Sequence, residues 1–371
     1  GLSTAINERT KRIMAYTTVN KSSSFMNNKL YTGNGGTQAL TGLGFEPSFT
    51  WIKQRNGGVY SNALFDAVRG VGKMLVSNTT ATEGNQTNGV TAFDADGFTV
   101  GDFSAGNYNA RKYVSWNWKA NGAGSTNYVG SINSTVSANT TSGFSIVQWT
   151  GDRSQTQTIG HGLGSIPKMI IIKNTSVTQG WTVYSSEIGA NERLVLNSNA
   201  TQGTCTACFG NTRPTDAVFT VGDDADTNGT GNTMIAYCFS DVQGHQKIGS
   251  YTGNNPAGGT NTQFVYTGFK PRLVMFKEMS GAGNWNIYDL NRNYSLTENN
   301  YNVRAARLAW NLDSEESSFT DDHGIDILSN GFNIRDNSND LYTINANNET
   351  YMYYAVGQTL VGTNNIPNNA V

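Results

Sequence analysis

The chain has 371 residues, which exceeds one ordinary hydrophobic core and indicates roughly two to four domains. Only 14% of the residues are charged and the net charge is −2, so no basic field exists that could bind nucleic acid. Aromatic residues, at 11%, are too abundant for a disordered chain, and no apolar run is long enough to insert into a membrane. The 42 glycines instead suggest short strands joined by turns.

Residues 1–30 stand apart from the rest of the chain. The first thirteen residues lack the apolar core of a signal peptide, and the repeated motifs described below begin only at residue 31. We expect residues 1–30 to form an N-terminal arm that docks on a neighbouring protein.

The rest of the chain repeats itself three times. Each repeat contains an aromatic residue, then Thr-Gly, then Asn or Asp, at Tyr31–Asn34, Trp149–Asp152 and Tyr251–Asn254. The block that follows contains Gly-x-x-Pro, an almost uncharged run and Lys: Gly44–Lys53, Gly164–Lys173 and Gly268–Lys277. Gly allows a tight turn, Pro fixes φ where the strand begins, and the apolar run indicates a strand buried on both faces. We expect the closing Lys to return the strand to water.

Further strands follow in the same order in each repeat. A hairpin is indicated by Asp96-Gly97 in the first repeat and by Asn330-Gly331 in the third. Each repeat closes on a strand rich in aromatic residues: Tyr113–Trp118, Met234–Phe239 and Tyr351–Val356. With about six or seven short strands per repeat, the sequence predicts an all-β fold of three tandem antiparallel β-sandwich or jelly-roll repeats. Their expected bounds are residues 31–122, 123–243 and 244–371.

In these motifs the chain resembles a family of virion proteins from marine bacteriophages that are often described as tail fibre proteins. The resemblance rests on segments such as Tyr113–Gly122, Thr158–Asn174 and Ile235–Asn254, and it extends in order from Met14 through the third repeat. It implies a component of the phage particle, assembled in the host cytoplasm, with concanavalin-like sandwich units. It carries no catalytic residue over to this chain.

Two carboxylates that are close in sequence, Asp94 and Asp96, come nearest to a glycosidase or calcium site. They flank a predicted hairpin turn, so we interpret them as turn residues. His161 lies between glycines, and the chain lacks the Gly-x-Ser-x-Gly motif of a serine hydrolase. We interpret His161 as a turn residue that bonds to the backbone, and we predict no catalytic residue.

The first and third repeats each contain an Asp-x-x-Arg pair, Asp66/Arg69 and Asp289/Arg292, which the second repeat lacks. At this spacing Asp66 and Arg69 can meet in a turn, which predicts a salt bridge within the first repeat. A pair that performed chemistry would be expected in all three repeats.

Three cysteines, Cys205, Cys208 and Cys238, cannot all pair within the chain, so we expect reduced thiols in a loop and a strand. The other histidines, His245 and His323, are far from Cys205 and Cys208 in sequence. A zinc site needs about four ligands, so we predict neither a metal nor a cofactor.

The tryptophans have two possible roles. A strand tryptophan usually packs between sheets, whereas an exposed one can form a platform for carbohydrate. The sequence leaves both roles open for Trp51, Trp116, Trp118, Trp181, Trp285 and Trp310.

Together these observations predict a non-enzymatic virion protein, a tail fibre or spike adhesin that contacts host-surface polysaccharide. Its partners would be other virion proteins and further copies of itself, with a trimer as the first expectation for a homo-oligomer. A capsid decoration or collar protein is the alternative, and a polysaccharide-degrading enzyme is the second alternative. Ligand-binding residues are not identified by the sequence.

Overall fold

The computed structural model describes residues 17–255, 261–292, 303–318, 324–335 and 344–359. In these ranges nearly all regular structure is antiparallel β-sheet, so the predicted all-β fold is confirmed. No helix in the described ranges is long and apolar enough to cross a membrane.

The strands fall into three segments of the chain. The first segment contains a 3-10 helix at Ser22–Ser24, β1 (Met26–Thr32), β2 (Gln38–Thr41), β3 (Phe49–Gln54), β4 (Ala63–Asp66), β5 (Lys73–Val76), β6 (Gly84–Asn85), β7 (Val90–Asp94), β8 (Gly97–Val100), α1 (Ser104–Asn107) and β9 (Lys112–Trp118). The second contains β10 (Ser125–Asn127), β11 (Ser134–Asn139), β12 (Phe144–Thr150), β13 (Gln157–Gly160), β14 (Pro167–Asn174), β15 (Trp181–Ser185), β16 (Glu192–Val195), β17 (Gly203–Thr204), β18 (Val218–Val221), α2 (Ala225–Asn228) and β19 (Thr233–Ser240). The third contains β20 (Gln246–Thr252), β21 (Gln263–Tyr266), β22 (Pro271–Glu278), β23 (Asn286–Asp289), β24 (Val303–Arg304), β25 (Ala306–Ala309), β26 (Ser317–Ser318), β27 (Ile325–Leu328), β28 (Gly331–Ile334) and β29 (Thr350–Gly357).

The same order of strands recurs in the three segments. The large sheets have the orders β1-β9-β3-β4-β5-β6, β12-β19-β14-β15-β16-β17 and β20-β29-β22-β23-β25-β26, and β11 and β10 extend the second at its edge. The small sheets have the orders β2-β8-β7, β13-β18 and β21-β28-β27-β24. In every large sheet the strand rich in aromatic residues (β9, β19 or β29) lies between the strand that ends in the Tyr-Thr or Trp-Thr of the repeated motif (β1, β12 or β20) and the strand that follows the Gly-x-x-Pro motif (β3, β14 or β22).

The strands that follow the Gly-x-x-Pro motif are buried on both faces, as their apolar runs predicted. Every residue of β3 is buried, and β14 and β22 are buried except at their second position. One face of each large sheet packs against the small sheet of its own segment. The opposite faces pack together in one core, which contains Trp51, Ile171 and Met275 from the three different segments. Each segment therefore has a core between its own two sheets, and the three segments also share the core between their large sheets.

The predicted N-terminal arm at residues 1–30 is wrong for its C-terminal part. β1 begins at Met26 and pairs with β9 along its whole length, so it is an integral strand of the first large sheet. Just before it, Ser22 Oγ lies 2.6 Å from Nδ1 of His245 in the third segment. This part of the chain therefore joins the first segment to the third. Residues 1–16 lie outside the described residues.

The repeated Thr-Gly-Asn motif forms a close crossing of two backbone segments. A Cβ on Gly33 would lie 2.3 Å from the carbonyl oxygen of Tyr108, so only glycine fits. The next residue, Asn34, exchanges hydrogen bonds with the buried Asn107: Asn34 N donates to Oδ1 at 2.9 Å, and Asn107 Nδ2 donates back at 3.1 Å. The same exchange joins Asp152 to Asn228 and Asn254 to Asn345.

The lysines that close the Gly-x-x-Pro blocks are buried, whereas the sequence suggested that they return the strand to water. Lys173 is 0% exposed, and its ammonium donates to Gln179 O in its own segment at 2.6 Å and to Thr80 O in the first segment at 3.0 Å. The equivalent lysines are also buried and also reach one neighbouring segment each: Lys53 donates to Tyr60 O and Asp313 O, and Lys277 to Gly283 O and Asn199 O. Burial lowers the pKa of all three to about 8.

Because the core is shared, we expect that the second segment does not fold alone. A fragment of residues 123–243 would expose the apolar face that carries Ile171, Trp181 and Tyr237. The fragment should show poorly dispersed amide signals in NMR and no cooperative thermal transition, while the whole chain unfolds in a single transition. A fragment with a dispersed spectrum and cooperative unfolding would contradict this expectation.

Candidate functional site

The predicted salt bridge between Asp66 and Arg69 is present, and it lies at the boundary between the first and second segments. Arg69 Nε is 2.5 Å from Asp66 Oδ2, and both side chains are at most 1% exposed. The hydroxyl of Tyr237, on β19 of the second segment, donates to the same carboxylate oxygen at 2.8 Å. The pair is therefore a contact between segments as well as within one.

Asp289 and Arg292 form the equivalent salt bridge, at the boundary between the third and first segments. The distance from Arg292 Nε to Asp289 Oδ2 is 2.5 Å, and Nε1 of Trp116 on β9 donates to the same oxygen at 3.1 Å. Burial acts to raise the pKa of Asp289. The charge of Arg292 and the hydrogen bonds outweigh burial and hold that pKa below its usual value.

The boundary between the second and third segments has Ser185 and Ile188 in place of an ion pair. Ser185 pairs with Met169 as Asp66 pairs with Phe49, so Ser185 holds the equivalent place on its sheet. Ile188 is buried in the shared core. An ion pair is thus one of two solutions to the same packing requirement, which favours a structural role for both Asp-Arg pairs.

Asp94 and Asp96 flank the hairpin between β7 and β8, and each makes its own contacts. Asp94 Oδ2 accepts a hydrogen bond from the hydroxyl of Thr99 at 2.8 Å. Asp96 accepts from the backbone N–H groups of Gly44 and Gly42, at 2.6 and 2.9 Å, which lowers the pKa of its carboxyl. Asp96 therefore fixes the turn before β3, where Gly44 has a φ of +84°.

His161 is fully buried and bonds to the backbone, in agreement with its interpretation as a turn residue. Its Nε2 lies 3.2 Å from Thr215 O, and the backbone N–H of Leu163 donates to Nδ1 at 3.2 Å. His245 is 1% exposed, and burial lowers its pKa to about 3. His323 lies outside the described residues.

Cys205 and Cys208 are joined by a disulfide bond, whereas the sequence suggested reduced thiols. The turn between them brings their Cα atoms to 5.4 Å, within the range of ordinary disulfides. A carboxylate oxygen of Asp224 lies within 4.8 Å of both sulfurs, but sulfurs in a disulfide provide no thiolate ligand for a metal. Cys238 is free and buried in β19, as expected, and burial raises its pKa to about 12.

The tryptophans pack between sheets. Each of them is at most 2% exposed: Trp51, Trp116, Trp118, Trp149, Trp181, Trp285 and Trp310. The large aromatic side chains that do reach the surface have exposed fractions of 46% to 75%: Tyr108, Tyr128, Phe264 and Tyr266. Any aromatic platform on the described surface is therefore built from tyrosine and phenylalanine.

Two of these exposed rings are neighbours on β21. Phe264 and Tyr266 are residues i and i+2 of the strand and project from the same face, while Val265 between them is buried. Lys247 lies beside the second ring: its ammonium is 5.6 Å from the ring centroid and donates to the backbone oxygen of Tyr266 at 3.3 Å. This pair was not predicted from the sequence. The signal for it in the sequence is that Phe264 and Tyr266 flank Val265, where a strand with one exposed face usually has small or polar residues.

A groove of about 310 Å³ is lined on one side by Tyr266. Asp241, Gln243 and Lys247, from the connection between the second and third segments, supply polar groups along the rest of its wall. Their single negative and single positive charge are balanced. We refer to Phe264, Tyr266, Lys247, Asp241 and Gln243 as the β21 face.

The fold and its surfaces define an all-β protein of antiparallel sheets with β-sandwich character, in which the recognisable polar clusters join neighbouring segments. Residues 21–359 match the model of the family described as "Domain of unknown function (DUF7483)". The chain belongs to this family. None of the curated proteins matches the chain in sequence.

The boundary with Ser185 and Ile188 lacks an ion pair, and this difference predicts how the stability of the protein changes when the Asp66–Arg69 pair is removed. Asp66→Ser should destabilise the protein by about 3–5 kcal/mol, because it leaves Arg69 buried without its main partner. The double variant Asp66→Ser/Arg69→Ile, which copies Ser185 and Ile188, should cost less than the single one. Guanidinium denaturation measures both, and a double variant less stable than Asp66→Ser would contradict the structural role.

The burial of His245 predicts a loss of stability in acid. Its folded pKa of about 3 lies below the unfolded value near 6.5, so between these values the unfolded chain binds a proton that the folded chain does not. Stability should fall by up to about 1.4 kcal/mol per pH unit below roughly pH 6 from this group alone. In denaturation at pH 7, 6, 5 and 4, the variant His245→Gln should show a shallower loss. Equal slopes for the two proteins would contradict the assignment.

Proposed function

We propose that the chain is a non-enzymatic structural protein of a bacteriophage particle, a tail fibre or spike adhesin that contacts host-surface polysaccharide. The observation that carries this proposal is the contrast between interior and surface. The buried pairs Asp66–Arg69 and Asp289–Arg292 help to join segments, while a pair of exposed rings beside a polar groove lies at the surface. The resemblance of the repeated motifs to marine phage virion proteins supports the same assignment.

We further propose that the segments are concanavalin-like sandwich units with bounds near residues 31–122, 123–243 and 244–371. The large sheet that covers a small sheet in each segment supports this assignment. A homo-oligomer, with a trimer as the first expectation, would strengthen a weak sugar site. Linked copies raise avidity by roughly 10²–10⁴ without any new contact.

Immunogold electron microscopy of intact phage particles, with antibodies against this chain, tests the assignment. We expect gold at the tail tip or along the fibres. Particles purified by density gradient and labelled with pre-immune serum provide the control.

Gold spread over the head would contradict the adhesin and favour a capsid decoration protein. Unlabelled particles, together with chain that does not co-purify with them in immunoblots, would overturn the virion assignment. New reducing ends after incubation of host polysaccharide with the purified protein would overturn the non-enzymatic part of the proposal and favour a polysaccharide-degrading enzyme.

A further inference from the structure

The β21 face differs from the corresponding faces of the other two segments. β21 pairs with β28 in the register in which β2 pairs with β8 and β13 pairs with β18, so the positions correspond one to one. Phe264 and Tyr266 stand where the first segment has the exposed residues Ala39 and Thr41. The second segment has Thr158 and Gly160 there. The repeated strand therefore forms without aromatic residues at these positions.

Each ring has a neighbour on the protein although it is about half exposed. The ring of Phe264 lies against Gly331 on β28, where a Cβ would come within 3.1 Å of its Cε2 atom. Tyr266 lies beside Lys247, as described above. Adjacent exposed apolar groups that the fold does not require indicate a binding surface rather than packing.

We propose that the β21 face is a saccharide-binding site that accepts a neutral hexose-containing polysaccharide. Sugar rings stack their C–H faces on Tyr266 and Phe264, while hydroxyl groups bond to Asp241, Gln243 and Lys247 in the adjoining groove. The groove, at about 310 Å³, lies at the lower end of the range for small-ligand sites. This inference rests on the proposed function and names the site through which it acts.

The charge balance and the size of the β21 face favour a neutral polysaccharide as its ligand. Asp241 and Lys247 cancel, so the face has no net charge that would attract an anionic glycan or a nucleic acid. A stable protein interface buries roughly 800 Å² on each partner. Two rings bury at most about 500 Å² even when fully covered, and these are already 42% to 54% buried. Two such rings suit a short stretch of sugar units.

Affinity electrophoresis of the full chain tests the site with named probes: dextran, laminarin and galactomannan as neutral polysaccharides, and alginate as an anionic one. The test variant is Phe264→Ala/Tyr266→Thr, which copies the exposed residues of the first segment and should keep the thermal midpoint. The matched control is Tyr128→Thr, which removes an exposed ring in the second segment. We expect the native chain to be retarded by at least one neutral probe, the control to match it, and the test variant to lose about tenfold or more in affinity.

Three results would overturn the site: no retardation by any neutral probe, retardation by alginate alone, or equal affinity of the native chain and the test variant. Light scattering adds a fourth, because a lower oligomeric mass for the test variant would make the β21 face a contact between copies. Failure here is separable from failure of the proposed function. Gold at the tail without binding of any polysaccharide would support the adhesin and contradict the saccharide-binding site. Binding of polysaccharide without gold on the particles would support the site and contradict the adhesin.

Discussion

The structure depends on the burial of both faces of β3, β14 and β22, the strands in the middle of the three large sheets. The small sheet of each segment covers one face, so the other can be covered only by the large sheets of the remaining segments. The three buried lysines, Lys53, Lys173 and Lys277, act at the edges of this shared core. Each ammonium satisfies a carbonyl group of a neighbouring segment that would be costly to bury unpaired. Together the three contacts close a ring of segments.

The boundaries of that ring use different chemistry for the same task. Two of them contain a buried Asp-Arg pair that accepts a hydrogen bond from Tyr237 or Trp116 of the neighbouring segment, and one contains Ile188. A buried ion pair adds little net stability compared with an apolar replacement. Removing only one of its two residues, however, strongly destabilises the protein, because the other charge is left buried without a partner. Directional contacts of this kind specify which segment meets which, where a uniformly apolar core would allow alternatives.

Positions on the outer faces of the small sheets are not constrained by packing in the shared core or by the contacts between segments. Their side chains contribute neither to the shared core nor to the ring of lysines, so the three copies of one strand can differ there. Ala39 and Thr41 in the first segment and Phe264 and Tyr266 in the third show how far they differ. An internal repeat thereby allows a binding face to arise in one segment while the other segments keep the fold.

Local chemistry in the sequence determined much of this protein. The apolar runs after Gly-x-x-Pro predicted strands buried on both faces, and the three-residue spacing of Asp66 and Arg69 predicted their contact, because both features involve only neighbours along the chain. The tertiary structure alone decided that the closing lysines are buried, that β1 begins at Met26, and that Phe264 and Tyr266 are the exposed rings. Burial and partnership are set by parts of the chain that are remote in sequence, as when the ammonium of Lys53 donates to the carbonyl of Asp313, 260 residues away. No local pattern records which surfaces will cover one another.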